Sequence, residues 1–328
     1  MPPPTLPSTR AQALSAAAAV RGDGLILASA ADRFGLGGDL RREYDHGGVV
    51  RIRWGVYMLA SEWASLGPDA RYLSRIKAHA AMSESPPVFS HQSAAAIWGL
   101  PQVGAWPPTV DVLIPPSSGG RSGSGVRRHP QLGLVEIVHR NGLMVTSAAA
   151  TAVAMGRVLP FAKAVAMIDK AVHIPRGGSP LTTPSALVSA LSDLGPVSRR
   201  AAASRAIAFA STLSASAGES MSRAHMFLLG FLLPALQTPF TDAHGFIGYT
   251  DFFWATENMI GEFDGFGKYL RDEFARGRST TQIVIDEKVR EDRLRACGPS
   301  VSRWGWTLAL DLARFNVFLE RIGIPRAR

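Results

Sequence analysis

Two short runs of aromatic and β-branched residues stand out in the chain, at Tyr249 to Trp254 and at Met259 to Asp264. Residues of these types favour strands, and the segment between the runs, Ala255 to Asn258, is short enough for a tight turn. Further along, Ile283 to Cys297 has the character of a helix, and Gly298 is placed to end it. The pattern therefore predicts an antiparallel pair of strands followed by a helix.

Three carboxylates fall on the predicted strands. Side chains alternate between the faces of a strand, so Glu262 and Asp264 should share one face while Phe263 takes the other. Asp251 on the neighbouring strand would lie within reach of both. Carboxylate oxygens in this arrangement suit Mg²⁺ or Mn²⁺, so Asp251, Glu262 and Asp264 are the predicted metal ligands. The alternative is a set of solvated carboxylates on an exposed hairpin.

The flanking helices add further charged candidates. Gly218-Glu219-Ser220 begins an apolar segment that runs to Leu233, which places Glu219 in the first turn of a helix. The helix dipole favours a carboxylate there, so Glu219 is either a cap or a member of the site. Lys288 lies one turn before Asp292 on the predicted helix, an arrangement that is also typical of a salt-bridged surface helix.

The first part of the chain has a different pattern. Leu25 to Arg33 and Asp39 to His46 predict two short helices around a glycine turn at 34–38. Val49 to Arg53 and Val56 to Leu59 predict a β-hairpin after them. Two helices followed by a hairpin describe a winged helix-turn-helix, in which the second helix enters the major groove of DNA.

This geometry gives a role to two pairs of arginines. Arg41 and Arg42 on the second helix would face the base edges, and Arg51 and Arg53 on the wing would follow the DNA phosphates. The alternative is a small helical cap for protein contacts, because the net charge of this stretch is close to zero. Under the winged-helix interpretation, these four arginines are the predicted nucleic-acid-binding residues of the chain.

Composition narrows the classes of function. The chain has 328 residues and a net charge of +9, and its length predicts two or three domains. Up to Ala210 it carries 21 basic and 12 acidic residues, which favours a polyanionic partner such as DNA. The single cysteine excludes an internal disulfide and fits a cytoplasmic protein. No run approaches the ~20 apolar residues of a membrane helix, so no membrane partner is expected.

A set of short segments in the first half carries a resemblance to a known family. They are Trp54-Gly55-Val56-Tyr57, the run Pro86 to Leu100 with Ser90-His91-Gln92-Ser93 inside it, Val110 to Ile114, Val126-Arg127-Arg128-His129, and Asn141 to Ser147. Together they resemble the AbiEi-type antitoxins of type IV toxin-antitoxin systems, in the actinobacterial form with a nuclease-like tail. The resemblance covers residues 20–175. It implies DNA, and a cognate toxin or its promoter, as partners.

A second resemblance covers residues 215–321. It rests on the order Glu219 on a helix, Asp251 on a strand, Glu262-Phe263-Asp264-Gly265 on the next, Lys268-Tyr269, Glu287 to Asp292, and Val301 to Trp304. This order resembles PD-(D/E)XK nucleases of the very-short-patch-repair type. Where the family has Glu-x-Lys, this chain has Glu262-x-Asp264, so Lys268 or Lys288 is expected to supply the missing positive charge.

The sequence thus predicts an α+β N-terminal half with a winged helix-turn-helix and an α/β, PD-(D/E)XK nuclease-like C-terminal domain. The expected divisions are a disordered leader at 1–20, the winged helix-turn-helix at 21–60, an antitoxin-like domain at 61–175, a helical linker region at 176–214 and the nuclease-like domain at 215–328. The expected activity is Mg²⁺- or Mn²⁺-dependent DNA cleavage, with Glu219, Asp251, Glu262, Asp264, Lys268 and Lys288 as the catalytic residues. The alternative is a non-enzymatic transcriptional regulator or antitoxin whose nuclease-like domain serves binding only.

Overall fold

The computed structural model describes residues 13–14, 16, 21–116, 122–123, 125–175, 177–265 and 280–327, with the backbone alone at 280, 283 and 284. It is a mixed α/β structure with several sheets. Its contacts divide it into two compact units, Met1–Ser147 and Ala148–Arg328. Within the described ranges, no helix is both long enough and apolar enough to cross a bilayer.

From Ile26 onward the first unit has two helices and a small sheet, made of β1 (Ile26–Leu27), α1 (Ala28–Arg33), α2 (Gly37–Asp45), β2 (Val49–Arg53) and β3 (Val56–Leu59). The strands are antiparallel in the order β1-β3-β2. Leu40 of α2 and Val49 of β2 belong to the small core that joins helices and sheet. The two hairpin strands have their predicted bounds. Helix α1 begins at Ala28 and not at Leu25, because the two residues before it pair with β3.

A five-stranded sheet forms the rest of the first unit. Its elements are α3 (Ala60–Ser65), α4 (Pro68–Ala81), β4 (Val88–Phe89), α5 (His91–Trp98), β5 (Val110–Ile114), β6 (Val126–Pro130), β7 (Ile137–Arg140) and β8 (Leu143–Thr146). The strand order is β6-β5-β4-β8-β7, with β6 parallel to β5 and β8 parallel to β4. Ile76 of α4 and Ile97 of α5 are buried with Val110 and Val112, so both helices pack on the sheet.

The second unit begins with five helices, α6 (Ala148–Val158), α7 (Phe161–Val172), α8 (Pro184–Asp193), α9 (Arg200–Phe209) and α10 (Ala217–Leu228). A buried ion pair joins α7 to α10, in which Nη2 of Arg223 donates to the two carboxylate oxygens of Asp169 at 3.1 and 2.9 Å. The same guanidinium donates to the carbonyl oxygen of Phe209 at 2.8 Å and lies over its ring. Helix α10 therefore packs with the helices before it, across the division expected at 214–215.

A four-stranded sheet follows α10, and its elements are β9 (Ala235–Asp242), β10 (Gly245–Trp254), β11 (Met259–Asp264), α11 (Thr280–Ala296), β12 (Ser300–Gly305), α12 (Trp306–Ala309) and α13 (Leu312–Arg321). The order is β12-β11-β10-β9, antiparallel from β9 to β11 and parallel between β11 and β12. Trp254 pairs with Met259, which confirms the predicted pair of strands. Helix α11 is the crossover to the parallel strand, and its Leu294 is buried with Ile260 and Val301.

Helix α10 approaches the sheet closely at Gly218. A Cβ at this position would lie 1.9 Å from the ring of Phe263, so a larger residue would force the helix away from β11. The indole N–H of Trp304 donates to the hydroxyl oxygen of Ser222, on the same helix, at 2.9 Å. The helix ends at Leu228 and not at Leu233 as the sequence predicts, because the chain turns at Gly230, where φ is 72°.

Replacing Asp169 with alanine should destabilise the protein by about 3–5 kcal/mol, because the change leaves the buried guanidinium of Arg223 without its counter-charge. The free energy of unfolding, from urea titrations followed by circular dichroism, measures the loss. Asp193→Ala is the matched control, because Asp193 is exposed at the end of α8 and its removal should cost less than about 0.5 kcal/mol. Equal losses in the two variants would contradict the importance of the ion pair.

Candidate functional site

Asp251 and Glu262 lie on the two central strands of the four-stranded sheet. Phe252 pairs with Gly261, and the same antiparallel register places Asp251 opposite Glu262. The two residues are only 8% and 6% exposed, so they are not solvated hairpin carboxylates. The backbone N–H of Phe263 donates to Oδ2 of Asp251 at 2.8 Å, which holds the carboxylate against β11. The register thus places the two acidic residues at opposed positions on one face of the sheet, as strand alternation predicts.

The guanidinium of Arg290, on α11, lies beside these two carboxyl groups and offsets their negative charge. Nη2 of Arg290 donates to Oε1 of Glu262 at 3.1 Å and to the carbonyl oxygen of Tyr249 at 2.8 Å. Its Nη1 donates to Oε1 of Glu287 at 3.1 Å. A Cβ on Gly248 would lie 3.1 Å from Nε of Arg290, so the glycine leaves room for the guanidinium. Arg290 therefore fastens the helix to the strands that carry the acids.

Burial and neighbouring charges set the protonation of this site. Burial raises the pKa of Glu262, the charge of Asp251 raises it further, and Arg290 opposes both effects, which leaves the pKa at about 7. Burial lowers the pKa of Arg290, but the neighbouring Glu262 and Glu287 outweigh that effect and raise it. The site therefore combines a carboxyl group that titrates near neutral pH with a permanent positive charge.

Asp264 has a different environment. Its side chain is 46% exposed, and its Oδ1 accepts from Nη1 of Arg303 at 3.1 Å. Nη2 of Arg303 donates at 2.7 Å to Oε1 of Glu287, the same oxygen that pairs with Arg290. Glu262 and Asp264 therefore share the face under α11, but each has its own arginine. Across the described ranges, no three His, Cys, Asp or Glu side chains are arranged to hold a metal ion. The three-carboxylate metal site stays a prediction.

Glu219 caps the N-terminus of α10. Its Oε2 accepts from the backbone N–H of Ala215 at 3.0 Å and from Nε2 of Gln237 at 3.4 Å. The hydroxyl oxygen of Ser216, the N-cap residue, accepts from the backbone N–H of Glu219 at 3.2 Å, and the Glu219 carboxylate holds the residue before this cap. Gln237 has a left-handed backbone with φ of 49°, which no sequence pattern indicates. It connects β9 to a buried carboxylate at the start of α10.

The structure describes only one of the two candidate lysines. Lys288 is an exposed residue of α11, and Lys268 lies outside the described residues. The cation on Glu262 is Arg290, two positions beyond Lys288 on the same helix. The Glu-x-Lys pattern of PD-(D/E)XK nucleases has a lysine at this point, which is why the sequence predicts Lys268 or Lys288 there. The signal for Arg290 was its spacing of three residues from Glu287, which places the two side chains on one helix face.

Three of the four predicted DNA-binding arginines lie at the surface of the first unit. Arg41 is exposed on α2, and the side chain of Arg42 is 60% exposed. Arg51 on β2 is exposed, and its guanidinium lies 5.4 Å from the ring centre of Tyr44 and 5.6 Å from that of Trp54. Arg51 and the exposed Trp54 therefore form a basic and aromatic surface on the hairpin, and Arg41 and Arg42 are exposed on α2.

Arg53 departs from this surface. The pairing of β2 with β3 is irregular between Arg51 and Arg53, so two residues that simple alternation places on one face have different surroundings. The guanidinium Nη1 of Arg53 is hydrogen bonded to Nδ1 of His79 on α4. Burial lowers the pKa of Arg53. Arg53 therefore faces α4 and does not accompany Arg51 on the exposed side of the hairpin.

Comparison with known proteins gives relatives but no activity. No family model matches the chain. Two proteins of Mycobacterium tuberculosis, from strain CDC 1551 / Oshkosh and strain H37Rv, are similar to it, and both are called uncharacterized. Each is 28% identical over 267 residues, which are 75% of this chain and 89% of the relative. A match of this length must include residues from both compact units.

The raised pKa of Glu262 makes the stability of the protein depend on pH. The unfolded chain releases this proton near pH 4.5 and the folded chain near 7, so the free energy of unfolding should fall as pH rises between these values. Glu262→Gln carries no titrating group there. The difference in free energy of unfolding between Glu262→Gln and the wild type should therefore shift by about 1–3 kcal/mol in favour of the variant from pH 5 to pH 8. Urea unfolding at the two pH values measures it.

The comparison between two pH values removes any constant cost of losing the ion pair with Arg290. Asp292→Asn is the matched control, because Asp292 is an exposed carboxylate on the same helix, α11. This control should follow the pH dependence of the wild type. If Glu262→Gln also follows it, the carboxyl group of Glu262 does not carry the proton assigned to it.

Proposed function

We propose that the second unit binds nucleic acid and hydrolyses phosphodiester bonds with a divalent cation held at Asp251 and Glu262. The observation that carries the proposal is the juxtaposition of these two buried carboxylates beside the guanidinium of Arg290. The chain order of α10, β10, β11 and α11 supports it, because the resemblance to PD-(D/E)XK nucleases rests on acidic residues in that order. Polyanionic nucleic acid is the substrate class that fits this resemblance.

The donor set fits Mg²⁺ or Mn²⁺. Both ions prefer carboxylate oxygens and complete their coordination with water. The charge of Asp251 raises the pKa of Glu262, and a divalent cation between the two carboxylates would remove this repulsion. When bound, the cation supplies a water of lowered pKa and neutralises charge that develops on the phosphate. Hydrolysis adds the water oxygen to phosphorus, breaks one P–O bond and returns a proton to the leaving oxygen.

Arg290 is placed to take the role of the missing Glu-x-Lys lysine. Its guanidinium lies on the carboxylate of Glu262, remains charged across the physiological pH range and can donate two hydrogen bonds to phosphate oxygens. Glu219 has a positioning role in this proposal, because its carboxylate holds Ala215 and Gln237 at the start of α10. Asp264, which accepts a hydrogen bond from Arg303, stays the third predicted ligand.

A second function is favoured by the ion pairs around the site. Arg290 pairs with Glu262 and Glu287, and Arg303 pairs with Asp264 and Glu287. The arginines therefore supply counter-charges to these carboxylates without a metal ion. A nuclease-like domain with this charge balance suits a non-enzymatic regulator, which binds promoter DNA or a cognate toxin and leaves DNA intact.

The first unit has the role of DNA recognition in both proposals. Helix α2 and the β2–β3 hairpin follow each other as the helix and wing of a winged helix-turn-helix would, and exposed Arg41, Arg42 and Arg51 support contact with a polyanion. The aromatic ring of Trp54 is 80% exposed beside Arg51. An exposed aromatic next to a cation suits contact with the sugar-phosphate backbone of duplex DNA.

Mg²⁺ or Mn²⁺ at 100 times its dissociation constant should stabilise the folded protein by about 2.7 kcal/mol, which raises Tm by roughly 5–10 °C. Asp251→Asn and Glu262→Gln should each abolish the rise, and Asp292→Asn should keep it, because Asp292 is an exposed carboxylate of α11. Plasmid nicking in the same buffers tests the chemistry. Arg290→Gln should slow nicking by about 10²–10³-fold, the usual cost of one donor to a developing negative charge.

The outcomes separate the two candidate functions. A metal-dependent rise in Tm without nicking of plasmid or single-stranded DNA over long incubation would favour the regulator. No rise in Tm with either cation would remove the metal site and the nuclease proposal with it. Nicking that persists in Asp251→Asn would show a contaminating nuclease or a different site.

Replacing Arg41 and Arg42 with alanine should weaken binding to a cognate duplex by ~1–3 kcal/mol for each lost base contact and reduce sequence preference. Fluorescence anisotropy at several salt concentrations measures both the affinity and its salt dependence. Arg314→Ala is the matched control, because its side chain is 71% exposed in the second unit. Affinities that are unchanged in the double variant at fixed salt would exclude α2 from DNA recognition.

A further inference from the structure

A cavity of about 250 Å³ lies within the first unit, beside the contact between Arg53 and His79. Its walls come from β2, from α4 and from the β5 and β6 edge of the five-stranded sheet. The apolar part of the lining is formed by Ile52, Val110 and Val126, and the polar part by Arg53, Arg75 and His79. The cavity therefore has both apolar lining residues and several nitrogen donors.

The charged residues that line this cavity are both arginines. Arg53 and Arg75 line it, and Arg128 acts on His79 from nearby. No acidic residue is among the residues that line it, and within the described chain no ion pair with Asp or Glu involves Arg53 or Arg75. Partly buried guanidinium groups without a counter-charge are costly, so an anion that enters the cavity is stabilised.

His79 serves this site as a neutral donor. Burial and the positive charges of Arg53 and Arg128 lower the pKa of His79 to about 4, so the imidazole is uncharged at neutral pH. Its Nδ1 accepts a hydrogen bond from the guanidinium of Arg53, which leaves the ring proton on Nε2. The imidazole can therefore donate to an anion without adding a charge that would repel the arginines.

We propose that this cavity binds a phosphate group, with Arg53 and Arg75 as its charged donors and His79 as a neutral one. Arginine suits phosphate because its planar donors match two phosphate oxygens at once. A volume of about 250 Å³ accommodates a phosphate with part of the molecule that bears it. The phosphate comes from a small phosphorylated molecule or from the backbone of bound DNA. The site is independent of the carboxylates in the second unit.

Calorimetric titration of the full chain with inorganic phosphate, and with a nucleoside monophosphate, tests the site at constant ionic strength. Arg75→Gln should weaken binding at least about tenfold, which is ~1.4 kcal/mol. Lys77→Gln is the matched control, because it removes one charge from α4 at a residue that does not line the cavity. It should bind like the wild type. Arg75→Lys keeps the charge and the fold but loses the paired donors, so it should bind with intermediate affinity.

A DNA arm separates the two sources of phosphate. If the small phosphates bind and Arg75→Gln lowers the affinity for them, the site binds a free phosphorylated ligand. If they do not bind but Arg75→Gln weakens a short duplex at least tenfold relative to Lys77→Gln, the site holds a backbone phosphate. Equal behaviour of Arg75→Gln and Lys77→Gln with all three probes overturns the proposal. Circular dichroism melts of each variant confirm that the compared proteins are folded, and neither arm uses a divalent cation.

Discussion

The burial of the Glu262 carboxyl group is the constraint on which the packing of α11 against the sheet of the second unit depends. A carboxylate inside a sheet is costly unless a cation reaches it, and a second carboxylate, Asp251, lies opposite. The cation comes from α11, the helix that connects β11 to the parallel strand β12. One contact between Arg290 and Glu262 therefore balances the charge and places the crossover helix on the sheet.

This arrangement explains an unusual helix. The apolar residues of α11 do not gather along one side, and Ile285 and Val289 are exposed. Its described apolar anchor is Leu294, near the end of the helix. Ion pairs from Arg290 and from Glu287 therefore supply the orientation that an apolar stripe gives to most helices on a sheet. A helix held in this way stays sensitive to salt and to proton uptake at its contacts.

Local patterns predicted much of this region. The aromatic and β-branched runs gave the strand bounds at Trp254 and Met259, and alternation brought Asp251 to Glu262. The cation could not be found in the same way. Arg290 is 28 residues away from Glu262, and its place depends on the rotation of a crossover helix. Likewise Arg223 contacts Asp169 across 54 residues, so local patterns near the expected division at 214–215 could not indicate that α10 packs with the helices before it.

The irregular pairing on β2 has a further consequence. Because of it, Arg53 contacts His79 and lines the cavity, while Arg51 on the same strand lies at the surface beside Trp54. An occupant of the cavity that holds Arg53 also acts on the strand that presents Arg51. If the hairpin binds DNA as proposed, thermodynamic linkage requires reciprocity: the factor by which the occupant changes the affinity for DNA is the factor by which DNA changes the affinity for the occupant. Under the proposed DNA-binding role, the irregular strand pair would thus couple the hairpin to the occupancy of the cavity.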